Sequence, residues 1–208
     1  MNKYKRHFIA YLRIGFGLLV AAAIVTQLSG TFEHGRSVAN FFSFFTIQSN
    51  VIAGAVLLVV GVGSLLNAKA NRQFAFIRGA ATLYMVITGI VFALLLSGLS
   101  ERLQLTVPWV NMVLHYLIPV VMLVDWLLFP PTFKFTFRDT VLWLAFPLGY
   151  LVYTLIRGPL VNWYPYPFLD VSQAGWLHVI IVSIMIAFGA AGLAWSMTLR
   201  IGGQTKQR

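Results

Sequence analysis

Apolar residues run through this chain in six long blocks, and charge is confined almost entirely to the stretches between them. The blocks extend approximately from Ile9 to Leu28, Phe41 to Leu66, Gly79 to Leu96, Pro108 to Leu128, Thr140 to Leu155 and Gly175 to Met197. Such runs are long enough to cross about 30 Å of hydrocarbon at ~1.5 Å per residue. They show no period of two, and barrel strands are about half their length, so the pattern predicts membrane-spanning helices. The expected fold is an all-α integral membrane protein, with six transmembrane helices in one bundle and residues 1–208 forming a single domain. No internal repeat or low-complexity segment is visible.

Composition agrees. The 208 residues are 59% hydrophobic and 10% charged, with a mean hydropathy of +0.82, outside the range of soluble domains. That length forms one compact bundle and leaves little room for a separate soluble domain. The net charge of +10 would suggest nucleic acid in a soluble protein. Here the basic residues cluster at span ends and termini, so topology explains the charge and no nucleic-acid partner is expected. The absence of cysteine excludes disulfides, iron–sulfur ligation and a thiol nucleophile. The first segment, after Lys3, Lys5 and Arg6, has the look of a signal peptide, but no clean small-residue cleavage site follows it, and it reads as a retained span.

The basic residues also orient the chain. Lys3, Lys5, Arg6, Arg13, Lys69, Arg72, Arg78, Lys134, Arg138, Arg200, Lys206 and Arg208 fall on one side, and Arg36, Arg102 and Arg157 on the other. The positive-inside rule then places both termini in the cytoplasm and makes the protein a multi-pass component of the inner (plasma) membrane. Arg13, Arg78 and Arg157 read as side chains that snorkel to their nearer interfaces. Two outward loops carry most of the sequence character, residues 30–40 and 158–174. The second contains Trp163-Tyr164-Pro165-Tyr166-Pro167-Phe168-Leu169-Asp170, which reads as an ordered re-entrant cap or, equally, an aromatic belt.

Against this apolar background a few polar residues stand out. Ser43, Thr46 and Asn50 are spaced to share one face of span two, and Asn111 and His115 share a face of span four. Both spans enter from the outer side, with Thr46 ~8 Å and His115 ~10 Å below the span ends at helical rise. Arg157 and His178 lie at similar depth, so the outer halves of spans two, four, five and six are expected to converge on one polar cavity. Asp125 lies too far along span four to orient His115, and a basic residue at the inner face is its natural partner. A threonine hydroxyl becomes a nucleophile when a base takes its proton, and neutral imidazole suits that task. Asn111, Asn50 or a backbone N–H would then donate to the oxyanion. The plainer alternatives are a Thr46 hydroxyl bonded to its own helix carbonyl and a His115 in a structural interhelical bond. The glycines of spans two and three most simply allow close helix approach. There is no metal-ligand spacing, GxSxG elbow, Walker sequence or haem-type His pair, and no metal or cofactor is implied. The lack of carboxylates in mid-span and of repeat symmetry argues against a proton-driven transporter.

Phe45-Thr46 opening span two, Asn111-x-x-x-His115 with Asp125 ten residues on, Gly149-Tyr150, and Tyr166-Pro167-Phe168-Leu169-Asp170 followed by Gly175 together resemble the androgen-induced-protein family, multi-span threonine hydrolases of hydroxy fatty acid esters. The run Phe45-Thr46-Ile47-Gln48-Ser49-Asn50 is closer to its bacterial branch. The resemblance covers spans two, four, five and six in order. It implies a Thr46 nucleophile and a His115 partner, while Pro119, four residues after His115, departs from the family spacing. The expected activity is hydrolysis of a lipid-like ester, with Asn50, Asn111, Arg157, Tyr166, Asp170 and His178 as supporting or substrate-binding residues. The alternative is a non-catalytic membrane protein that binds a lipid or small ligand, or assists another membrane complex. The expected partners are the bilayer and a lipid-like substrate.

Overall fold

The computed structural model describes residues 2–99 and 107–203, with side chains described as far as Leu199. Arg102, Lys206 and Arg208, and the side chain of Arg200, lie outside that description. Among the described residues the secondary structure is helical, without strands. Six helices are long and apolar enough to cross a membrane: Lys3–Glu33, Phe45–Leu65, Arg72–Leu99, Pro108–Leu128, Phe137–Val161 and Val171–Leu199. Each predicted block maps onto one of them. By their contacts the residues group into two compact units, Met1–Phe129 and Pro130–Arg208. The boundary lies at Pro130-Pro131, two residues without the N–H that would continue a helix.

Unit 1 holds the first four spans. Helix α1 (Lys3–Glu33) starts at an Asn2 cap, whose side chain accepts from the Tyr4 amide. A short helix α2 (Val38–Phe42) precedes α3 (Phe45–Leu65). Helix α4 (Arg72–Val91) begins at an Asn71 cap and continues into a π-turn, Phe92–Leu96. The fourth span is built from α5 (Pro108–Met112), a π-turn (Val113–Leu117) and α6 (Ile118–Leu128). Helix α1 packs along α3, α3 against α4, and α4 against α6. The α1–α3 contact uses a glycine, since a Cβ at Gly61 would stand 3.0 Å from the Ala10 carbonyl. Val20, Ala53, Leu57, Met85, Leu114, Ile118 and Met122 fill the core between these helices.

One end of unit 1 is fastened by charge. Of the three arginines expected to snorkel, Arg13 and Arg78 instead turn inward onto Asp125, and this corrects the sequence reading. Arg13 Nε and Nη2 each lie 2.8 Å from Asp125 Oδ1, and Arg78 Nη2 lies 2.8 Å from Oδ2. Arg13 also reaches Ser64 of α3 at 3.4 Å. Arg78 donates to the Asp125 and Phe129 carbonyls at 2.7 and 2.9 Å, which caps the C-terminal end of α6. The guanidinium groups lie over the Phe129 and Trp126 rings. Apolar surroundings make an unpaired arginine costly, so a single carboxylate draws both inward. The expectation that Asp125 pairs with a basic residue holds, with two partners in place of one.

Unit 2 comprises α7 (Phe137–Trp143), α8 (Ala145–Val161), a single 3-10 turn (Pro167–Leu169) and α9 (Val171–Gly203). Thr136 and Asp139 form a reciprocal capping box that starts α7 ahead of the predicted Thr140. Asn162 in the left-handed region ends α8. Asp170 opens the next span. Gly175, with φ 77° and ψ 156°, breaks the helical path five residues later, in a region open essentially to glycine alone. Large apolar side chains such as Leu160 and Phe188 are exposed along these helices.

Two stability tests follow. Asp125→Leu leaves two buried guanidinium groups without a counter-ion and is expected to cost about 3–5 kcal/mol, read as a lowered thermal midpoint of the purified protein. Gly175→Ala is expected to cost about 1–3 kcal/mol through backbone strain, whereas Gly15→Ala, at a position with open space around it, is expected to be neutral or stabilising.

Candidate functional site

The end of unit 1 opposite the Asp125 cluster collects the polar residues of spans two, three and four. Alternating helix directions bring the start of α3, the end of α4 and the first turns of span four to the same end. Span two does not start where the sequence suggests. Ser43 closes α2, its hydroxyl donating to the Ala39 carbonyl at 2.6 Å, and Phe44 is extended, so α3 begins at Phe45. Ser43 therefore does not share a helical face with Thr46 and Asn50. The Phe42 carbonyl, stranded by this break, accepts from Gln48 Nε2 at 2.8 Å. Thr46 lies in the first turn of α3 and is buried.

Asn50 is fully buried and ties span two to span four. Its Nδ2 donates to the Thr46 carbonyl at 2.9 Å and to the Leu114 carbonyl at 3.1 Å. The Thr46 and Leu114 backbones are thus bridged by one amide, beside His115. Because both acceptors are carbonyls, the amide has only one workable orientation, and Oδ1 faces no donor. Both N–H groups being engaged, the oxyanion-donor role expected of Asn50 is not open to it in this state. Ser49, on the next face, bridges to span three: its hydroxyl lies 2.9 Å from Thr88 Oγ1.

His115 is buried within the π-turn Val113–Leu117. Proline explains the turn. Pro119 has no N–H for the His115 carbonyl four residues earlier, and its ring would clash with that carbonyl in a regular helix. Widening the preceding turn relieves the clash, as π-turns commonly do at functional sites. The His115 ring stacks on Phe92, with centroids 3.9 Å apart and planes inclined by 27°. Its Nδ1 lies 3.3 Å from the Asn111 carbonyl. A carbonyl only accepts, so Nδ1 carries the proton, and when the ring is neutral Nε2 holds a lone pair. Asn111 Oδ1 is buried without a partner. Gly89 sets the approach of span three, since a Cβ there would stand 2.9 Å from Pro119 Cβ and 3.5 Å from the His115 carbonyl. Phe92 and Thr88 were not singled out from sequence, whereas Gly89 is one of the span-three glycines expected to allow close helix approach.

The remaining candidates belong to unit 2. Arg157 lies over the Trp163 ring, 5.5 Å from its centroid. Tyr166 is buried and stacks on Phe168 at 5.3 Å. The Asp170 carboxylate is taken up by its own chain, accepting from the Ser172 and Gln173 amides and from both side chains. That arrangement makes it the N-terminal cap of α9. His178 is exposed. No three His, Asp, Glu or Cys side chains among the described residues group as a metal site.

No family model matches the chain, and neither curated proteins nor solved structures contain a match to it.

Gly89→Val is expected to wedge span three away from Pro119 and cost about 1–3 kcal/mol, read as a drop in thermal midpoint. Near-ultraviolet circular dichroism is expected to change with it, because the Phe92–His115 stack is part of the same contact.

Proposed function

We propose that the protein is an integral hydrolase of lipid-like esters in the inner (plasma) membrane, with both termini cytoplasmic, Thr46 as nucleophile and His115 as general base and acid. The observation that carries this reading is the state of His115. With Nδ1–H aimed at the Asn111 carbonyl, Nε2 is the lone-pair nitrogen that a general base needs. The Asn50 bridge supports it by tying the Thr46 turn to the Leu114 carbonyl. The likeness of the Phe45-Thr46 and Asn111-x-x-x-His115 segments to the androgen-induced-protein family supports the same assignment.

In this mechanism His115 Nε2 removes the Thr46 hydroxyl proton as Oγ1 bonds to the ester carbonyl carbon. The oxyanion is met by the Asn111 side chain or a backbone N–H at the start of α3. Collapse releases the alcohol, which takes its proton from His115. Water then attacks the acyl-threonine, giving one proton to Nε2, and the carboxylic acid leaves as that proton returns to Thr46. A lipid ester fits a site built among membrane-spanning helices, where apolar chains enter from the side.

The second reading, a non-catalytic lipid-binding protein, is favoured by the Phe92 ring stacked on His115, a contact that also suits a purely packing imidazole.

Purified Thr46→Ala and His115→Ala proteins are expected to lose ester hydrolysis by about 10²-fold or more while remaining folded. A fluorophosphonate probe is expected to label Thr46 in a His115-dependent way. Folded wild-type protein that resists the probe, or variants that retain full activity, would favour the binding protein.

A further inference from the structure

The Asp125 cluster leaves positive charge over. Two guanidinium groups face one carboxylate, and among the described residues of unit 1 the only other acidic side chain, Glu33, closes α1 at the opposite end. The charge grows toward the start of α1. Arg6, Ala10, Arg13 and Gly17 follow at spacings of four, three and four, which puts them on one helical face. Ala10 and Gly17 of that face are buried against α3, so Arg6 lies on the packed stripe rather than among the outward residues Lys3 and Lys5. Two arginine N–H groups of unit 1 are buried with no acceptor, Nε of Arg6 on α1 and Nε of Arg78 on α4. Arg78 itself is 9% exposed. Helix ends do not supply the missing negative charge. The C-terminal ends of α3 and α6 meet the N-terminal ends of α1 and α4 here, so the four dipoles largely offset one another.

Excess cations with buried, unfilled donors attract an anion by the same physics that draws Asp125 between its arginines. We propose that this end of unit 1 seats a phosphate group between the Arg6 guanidinium and the Arg13–Asp125–Arg78 cluster. Phosphate has the charge and the acceptor oxygens that guanidinium forks match. Its source is the headgroup of an anionic phospholipid or a soluble phosphate. The inference is independent of the hydrolase reading, since it uses none of its residues.

The test is binding to the intact purified protein by native mass spectrometry and thermal shift, with phosphatidylglycerol, phosphatidylcholine and inorganic phosphate as probes. Phosphatidylglycerol is expected to bind roughly tenfold more tightly than phosphatidylcholine. Stabilisation by inorganic phosphate to the same extent would identify the soluble source. Arg6→Gln is expected to abolish the preference, while the double variant Lys3→Gln/Lys5→Gln keeps it, which separates a built site from diffuse attraction. Equal response of wild type to all three probes, or a preference that survives Arg6→Gln, overturns the proposal. Arg6 lies outside the Asp125 cluster, so its replacement tests the site without removing the contacts that hold the helices.

Discussion

Asp125 is a single carboxylate at the end of α6, and all four spans of unit 1 meet through it. Arg13 brings α1 to it and touches Ser64 of α3, and Arg78 brings α4 and caps α6 in the same motion. In apolar surroundings helix association has little hydrophobic drive, so directional contacts decide register. Two arginines that share one acid are committed to one arrangement, because either of them turned outward would leave its charge unpaired. That fixes which ends of the helices coincide. The polar residues at the far end owe their meeting to it.

At that far end the controlling element is a proline. Pro119 deprives the His115 carbonyl of its helical donor and widens the turn that holds the imidazole. Gly89 then lets span three come close enough for Phe92 to cover the ring. Asn50 links span two to the irregular turn through the Leu114 carbonyl. Each device is small: one missing N–H, one missing Cβ and one amide. Together they bury an imidazole with its Nδ1 turned to the Asn111 carbonyl.

How much of this was legible varies with the kind of interaction. Span positions were, because an apolar run of membrane length leaves a helix as the only way to satisfy its backbone. The burial of Thr46, Asn50 and His115 was expected because polar side chains in an apolar span turn inward to find partners. The inward turn of Arg13 and Arg78 was not, because snorkelling and pairing are distinguished by helix rotation, which a one-dimensional pattern does not carry. The break at Ser43-Phe44 was hidden because both flanking segments are equally apolar. Asp170 was a site candidate through the family resemblance, yet Ser172 and Gln173 just after it carry the signature of a cap. The Thr136–Asp139 box was equally visible and likewise local.

The π-turn at Val113–Leu117 also changes how the span can be read and altered. A turn with more than four residues shifts the angular phase of everything beyond it, so the rule that residues three or four apart share a face holds on either side but not across it. Asn111 and Met122 therefore cannot be assigned to faces on one common wheel. Shortening this segment by a single residue would rotate α6 by about a third of a turn relative to α5. Length variation here is thus a change of direction, and the position of Asp125 around the helix is set by a count of residues ten places away.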